Sequence, residues 1–202
     1  MKKNIIILLS ILLILPNLAS CDKSDSDKNK YSAPFGLEWG MSINKLKKEI
    51  GNDIEILNNQ ENCPFVKVKS ESLPNGLNNK NETYTLIFLP ENKVINFNGL
   101  MGVDYFYFIK NKEIYDIDFK KMLNNLELKY GEPTRKKEDD KLFKYVYYFD
   151  LENKNIILAG HKTEYGYTIW MLQAFLPKEN KNTIDQAVEK LNLECKKERN
   201  PL

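Results

Sequence analysis

The sequence predicts an α+β fold with a mostly antiparallel sheet and about three helices. Helix-like segments alternate with groups of short segments that are rich in aromatic and β-branched residues. The links between these strand-like segments are short and contain turn residues, as at Asn111-Lys112 and Glu164-Tyr165-Gly166. Because hairpin links join antiparallel neighbours, the order helix, strands, helix, strands, helix favours α+β over a doubly wound α/β fold.

The first predicted helix covers residues 43–50. Ser42 suits the N-cap and Gly51 suits the C-terminal cap. Between these caps, apolar residues recur at the helical spacing and form one stripe: Ile43, Leu46 and Ile50.

Two further helices are predicted later in the chain. Asp118 is the expected N-cap of the second, which ends at Gly131 and carries the apolar stripe Phe119, Met122, Leu123, Leu126 and Tyr130. The third begins at Thr183, where Gln186 completes a capping box, and ends near Cys195. Its apolar face consists of Ile184, Ala187, Val188 and Leu191.

Strands are predicted wherever aromatic and β-branched residues cluster between turn residues. The two groups of strands follow helices that close at Gly51 and Gly131, about 80 residues apart, which suggests two degenerate helix-plus-strands repeats. The predicted strands are Ile54–Leu57, Phe65–Lys69, Tyr84–Leu89, Val103–Ile109, Glu113–Ile117, Phe143–Phe149, Ile156–Ala159 and Tyr167–Phe175.

The amino terminus has the pattern of an export signal. Lys2 and Lys3 precede residues 5–15, which are apolar except for Ser10 and too few to span a bilayer. Leu18-Ala19-Ser20-Cys21 follows and resembles the bacterial lipobox, in which a peptidase cuts before the cysteine and lipid is attached to it. The resemblance implies a signal peptide over residues 1–20 and a membrane anchor of two or three acyl chains on Cys21, which would hold the protein stably.

Residues 22–34 are mostly Asp, Lys, Ser and Asn, so we expect a flexible tether, and residues 35–202 are expected to form a single α+β domain. The tether would span about 20 Å as a coil. Asp22 resembles both an inner-membrane retention signal and, in other bacterial groups, a surface-export signal. The expected location is therefore the cell envelope, either on the periplasmic side of the inner membrane or at the outer membrane or surface.

Two short segments of the domain resemble known families. Residues 39–46, Trp-Gly-Met-Ser-Ile-Asn-Lys-Leu, and residues 129–133, Lys-Tyr-Gly-Glu-Pro, look like helix-start and helix-end signatures of small barrel-assembly lipoproteins and of tandem-repeat β-lactamase-inhibitor-like domains. The same residues also suit ordinary helix capping and termination. The resemblance implies protein binding rather than catalysis.

Charge argues against nucleic acid as a partner. The chain has 30 Lys and Arg against 28 Asp and Glu, and loss of Lys2 and Lys3 with the signal peptide makes the balance even. Without a basic excess there is no electrostatic attraction to a phosphate backbone.

Cys63 and Cys195 remain after Cys21 is acylated, and an even count in an oxidising compartment allows one disulfide between them. Two unpaired thiols are the alternative. The chain lacks a Cys-x-x-Cys pair, so neither interpretation indicates redox catalysis.

Catalytic motifs are missing from the sequence, and we predict neither an enzyme nor a bound cofactor or metal. His161 is the single histidine, so a His-rich metal site cannot assemble. A carboxylate pair such as Asp104 with Asp116 or Asp118, or one using Glu38 or Glu164, would suit a cell-wall hydrolase only if the fold brought two of them together.

Aromatic residues are dense on two strands, at 105–108 and 145–149. Either both faces of these strands are covered, or one face presents tyrosines of the kind enriched at recognition sites. In the second case the candidate partner-binding residues are Tyr105, Tyr107, Tyr145, Tyr147, Tyr165, Tyr167 and Trp170.

Three functions follow from these patterns. The first is a lipid-anchored protein-binding module with an assembly, inhibitor or immunity-like role, whose partner is another envelope protein. The second is a carboxylate-dependent cell-wall hydrolase. The third is a carrier of a small apolar ligand, which would need a closed pocket between sheet and helices.

Overall fold

The computed structural model describes residues 32–51, 54–57, 65–76, 80–91, 97–138 and 144–176, together with the helical residues 186, 189–191 and 193. The predicted α+β class is confirmed, because the described strands form one antiparallel sheet of eight with helices packed against it. Cys21, Cys63 and Cys195 lie outside the described residues. No helix in the described ranges has the length and apolar character required to cross a membrane.

The sheet has the strand order β1-β2-β3-β4-β8-β7-β6-β5, and every neighbouring pair is antiparallel. Two α-helices have described bounds, α1 at Ile43–Ile50 and α2 at Lys112–Tyr130. The strands are β1 Ile54–Leu57, β2 Val66–Ser70, β3 Glu82–Leu89, β4 Gly99–Ile109, β5 Arg135–Glu138, β6 Tyr145–Asp150, β7 Lys154–Thr163 and β8 Gly166–Phe175.

The sheet is built from two halves that share one plan. In each half a helix precedes a meander of four strands, α1 before β1–β4 and α2 before β5–β8. The halves join through their last strands, which pair so that Phe106 of β4 lies opposite Trp170 of β8. This order of elements is that of the predicted helix-plus-strands repeat.

Helix α1 has the bounds that its caps predict. The Ser42 side chain accepts a hydrogen bond from the Lys45 backbone N–H at 3.2 Å. Gly51 has φ +82°, a conformation that favours glycine, and its N–H donates to the Lys47 carbonyl at 3.0 Å. Leu46, in the middle of the apolar stripe, is fully buried.

Helix α2 begins earlier than predicted. The Asn111 side chain caps it, accepting hydrogen bonds from the backbone N–H groups of Glu113 at 2.8 Å and Ile114 at 3.1 Å. The predicted strand Glu113–Ile117 and the predicted N-cap Asp118 are therefore wrong, since both lie inside the helix. The end at Gly131 is as predicted, with its N–H donating to the Glu127 carbonyl at 2.8 Å.

The spacing of buried residues explains why α2 begins earlier than predicted. Tyr115 is buried one turn before Phe119, so the apolar stripe extends towards the amino terminus by more than a turn. Burial of this stripe against the sheet outweighs the β-branched character of Ile114 and Ile117.

Strand β5 was not predicted because it contains no apolar residue. Its four residues are exposed, and they form a strand by pairing with β6, Arg135 opposite Tyr148 and Lys137 opposite Val146. Just before the strand, the Thr134 N–H donates to the Tyr148 carbonyl at 2.8 Å. Charged side chains on a short edge strand also discourage pairing with other chains.

Helices α1 and α2 cover the same face of the sheet. Ile54 and Val66 pack in one hydrophobic cluster with Leu46 of α1. On the other half, the Phe119 ring of α2 lies 6.3 Å from Tyr145 and 6.0 Å from Tyr147. We call this side of the sheet the covered face.

The covered face also receives the residues that begin the described chain. Phe35 packs against Tyr84 and Tyr105, with ring centroids 5.0 and 5.4 Å apart. Ala33 is buried and Ser32 forms a β-bridge with Glu38, so these two residues, which were assigned to the tether, contact the domain.

Candidate functional site

The opposite side of the sheet, the open face, carries the alternate residue of each strand. The strand register places these residues in rows that cross the sheet. One row crosses all eight strands in the order Arg135, Tyr148, Ile157, Leu172, Asp104, Thr85, Lys69 and Glu55. The next row runs Lys137, Val146, Ala159, Trp170, Phe106 and Thr83.

In one half of the open face, from β6 to β4, the central residues are mostly apolar. Phe106 is 40% exposed, a large fraction for a phenylalanine at the centre of a sheet. Its ring stacks on that of Trp170, with centroids 6.3 Å apart and planes at 30°. We define the aromatic half by Phe106, Phe108, Trp170, Leu172, Ile157 and Tyr148.

A partly buried hydrogen bond fixes the indole of Trp170 in the aromatic half. Trp170 Nε1 donates to Asp104 Oδ1, which lies on the neighbouring strand. Burial raises the pKa of the Asp104 carboxyl, while the Trp170 hydrogen bond and the charge of Lys67 act in the opposite direction. An aromatic ring locked in this way loses less entropy when a partner packs on it.

The other half of the open face, from β3 to β1, carries polar residues together with the apolar Ile87 and Leu57. We define the polar half by Lys67, Lys69, Thr83, Thr85 and Glu55. Lys67 lies opposite Ile87, and Lys69 lies between Thr85 and Glu55. Within the described residues neither lysine forms an ion pair closer than 4.0 Å.

The far edge of the open face is also basic, but its charges are engaged. The Arg135 guanidinium lies over the Tyr148 ring at 4.3 Å and forms an ion pair with Asp150 at 3.3 Å. Asp150 accepts a second hydrogen bond from the Thr134 hydroxyl at 2.9 Å. Lys137 lies over the same Tyr148 ring at 6.0 Å.

The described C-terminal helical residues pack on the open face at one end of the sheet, because Leu89 and Phe65 alternate with the residues of the covered face. Leu191 is buried against Leu89, in a cluster with Phe65, Phe97 and Met101. Leu89 pairs with Gly99 at the β3–β4 hairpin end. Phe106 and Trp170 lie farther along their strands from this hairpin.

Most of the tyrosines predicted to bind a partner lie on the covered face. Tyr105 is 1% exposed and Tyr107 is also buried, so both belong to the core. Tyr145 and Tyr147 pack against Phe119 of α2.

The remaining predicted residues are divided between three places. Tyr167 stacks on Tyr115 with ring centroids 4.9 Å apart, while Tyr165 is 76% exposed in the β7–β8 turn. Only Trp170 of the predicted set belongs to the open face. Phe106 was missed, although it alternates with Tyr105 and Tyr107 on the same strand.

The fold separates the carboxylates that a hydrolase would pair. Asp104 lies on the open face, whereas Asp116 and Asp118 belong to α2 on the covered face. Glu38 forms an ion pair with Lys45, and Glu164 lies in the β7–β8 turn. Among the described residues, no three His, Cys, Asp or Glu side chains are grouped to hold a metal ion.

A groove of about 310 Å³ lies beside the start of α1. It is lined by Ile43, Val66, Phe88 and Leu89 together with polar residues such as Asn44 and Asn98. Its volume is at the lower limit of about 300 Å³ for ligand sites, and it is an open groove rather than the closed pocket expected of a carrier.

Comparison with known proteins does not add to this geometry. No protein-family model matches the chain, and no curated protein or solved structure is significantly similar to it.

Proposed function

We propose that this chain is a lipid-anchored envelope protein that binds another protein through the open face and is not a catalyst. The observation that carries the proposal is the aromatic half, where Phe106 is exposed and the neighbouring Trp170 is locked by Asp104. Aromatic residues at the centre of a patch are typical of protein-binding hot spots. The resemblance to β-lactamase-inhibitor-like domains implies a similar role, but the proposal rests on this face.

The size of the open face suits a protein partner. Eight strands about 4.8 Å apart give a width of roughly 34 Å, and the length falls from about 33 Å along the ten residues of β8 to about 13 Å along the four residues of β1 and of β5. A stable interface uses about 800 Å² on each partner.

The orientation of the rings favours a protein over a sugar as ligand. Because Phe106 and Trp170 stack on one another, each ring turns one face towards its neighbour. A sugar binds best to an exposed flat ring face, whereas protein side chains also pack well against ring edges.

The lipid anchor restricts the partner to the same envelope. Acylation of Cys21 and a tether of about 20 Å would keep the domain within a short distance of its membrane. The partner is then a membrane or cell-surface protein, or one that passes close to that membrane.

Photocrosslinking in intact cells tests the proposal. A photoreactive phenylalanine analogue replaces Phe106 in one strain and, as a control, Leu128 in another, because Leu128 is 87% exposed on α2. We expect a discrete protein adduct from position 106 and none of the same mass from position 128. Equal adducts from both positions, or only glycan or lipid adducts from position 106, would contradict the proposal.

A further inference from the structure

The chemistry of the open face also indicates what kind of protein it binds. We infer that the partner is a folded protein that presents acidic side chains to Lys67 and Lys69 while it packs an apolar side chain on Phe106. This inference rests on the proposed function, since it assigns the partner's chemistry at the same face.

Lys67 and Lys69 form a compact cationic site. They are alternate residues of β2, so their Cα atoms are about 7 Å apart and both side chains project from the open face. Their neighbours on β3 are Ile87 and Thr85, which bring no charge. Two ammonium groups held at this spacing suit one or two carboxylates of a partner.

Among the described residues, no carboxylate of the open face forms an ion pair with Lys67 or Lys69 within 4.0 Å, although the charge of Lys67 acts on the Asp104 carboxyl. Asp150 is bound by Arg135 and Thr134, and Asp104 accepts the Trp170 hydrogen bond. Glu55 lies opposite Lys69 but forms no ion pair with it within 4.0 Å. The lysines therefore keep their capacity to bind an external anionic group.

A uniform anionic surface does not fit the charge pattern. Glu55, Asp104 and Asp150 are interspersed with the cations across the open face. Pressing this face on an anionic bilayer would bring the three carboxylates against lipid phosphates. A folded protein can instead place its acidic side chains at the two lysines alone, with apolar contacts beside them.

Charge reversal in the crosslinking strain tests the inference. The full-length chain with the photoreactive residue at position 106 receives either Lys67→Glu with Lys69→Glu or the control pair Lys120→Glu with Lys121→Glu. The control lysines are exposed on α2, on the covered side of the sheet, and change the net charge equally. We expect the adduct to fall at least about tenfold in the first variant and to stay unchanged in the second.

Two further measurements complete the test. Once the adduct identifies the partner, replacing the partner's acidic residues nearest the crosslink by lysine is expected to restore the adduct with the Lys67→Glu, Lys69→Glu variant. If that variant does not fold, as judged by circular dichroism, Lys67→Gln with Lys69→Gln replaces it, and a smaller loss of adduct is expected.

The possible results separate the two proposals. A protein adduct that is insensitive to charge at positions 67 and 69 overturns the acidic-partner inference and leaves protein binding intact. An adduct consisting of a second copy of this chain also overturns the inference. Loss of every protein adduct at position 106 in the otherwise unmodified chain overturns the proposed function itself.

Discussion

Replacement of Gly160 by alanine tests how α2 packs on the sheet. Gly160 lies in β7 on the covered face, and a Cβ built there would be 2.0 Å from the Tyr115 hydroxyl oxygen and 3.0 Å from Phe119 Cε2. Real carbon and oxygen atoms that are not bonded stay more than 3 Å apart, so Tyr115 or the helix must move by about 1 Å. Overpacking of this kind costs about 1–3 kcal/mol.

The cost is measurable by urea or thermal denaturation of the purified protein. For a chain of this size 1 kcal/mol lowers the melting temperature by about 2–4 °C, so Gly160→Ala is expected to lower it by about 2–12 °C. The m-value is expected to stay unchanged, because the folded and unfolded states keep their exposed areas.

A second substitution identifies the contact responsible. Tyr115→Phe removes the hydroxyl oxygen, and the nearest remaining atom of that ring, Cζ, would lie 3.2 Å from the new Cβ. Gly160→Ala is therefore expected to cost at least about 1 kcal/mol less in the Tyr115→Phe background than in the original protein. Equal costs in the two backgrounds, or a cost below about 0.5 kcal/mol in the original, would refute the packing of Tyr115 on β7.

Three further predictions concern other parts of the molecule. Tyr105→Phe removes a 2.9 Å hydrogen bond to Glu82, which is 2% exposed, and is expected to cost about 1.5–3 kcal/mol in urea denaturation, while Tyr165→Phe in the exposed turn is expected to change stability by less than about 0.5 kcal/mol. Burial raises the pKa of the Asp104 carboxyl above its ordinary value of 3.8, so the folded state binds the carboxyl proton more tightly than the unfolded state does. Protonation of Asp104 therefore stabilises the fold fully below pH 3.8, and this stabilisation is lost as the pH rises through the pKa of the folded state. The stability of the original protein relative to Asp104→Asn is therefore expected to improve between pH 7 and pH 4, and parallel stability curves would contradict this. Cys21→Ser is expected to move the protein from the membrane fraction to the soluble or unprocessed one, and unchanged fractionation would exclude Cys21 as the anchor.

Local signals predicted much of the fold. Helix α1 has both of its predicted bounds because a capping serine and a terminal glycine flank one apolar stripe, and β1 likewise has its predicted bounds. The error at Glu113–Ile117 arose because Ile114 and Ile117 suit a strand and Asn111 suits a turn. The segment is helical because Tyr115 is buried against the sheet when residues 113–117 belong to α2.

The site was harder to predict than the fold. Alternation along β4 separates Tyr105 and Tyr107 from Phe106 and Phe108, but it does not reveal which set the helices cover. That choice depends on the side of the sheet on which α1 and α2 pack, which is a property of the whole chain. The candidate surface accordingly contains Trp170 but not the tyrosines of β4.

Strand β8 is the last described strand to leave the ribosome, yet it pairs with β4 in the middle of the sheet. The Asp104 and Trp170 side chains that meet there are 66 residues apart in sequence. Until β8 arrives, β4 exposes an unpaired edge of 11 residues that includes four consecutive aromatic side chains. Such an edge is prone to aggregate, and pairing over this separation is slow. We expect a chain truncated before β8 to require a chaperone to remain in solution, and the second half of the protein to control the rate of folding of the first.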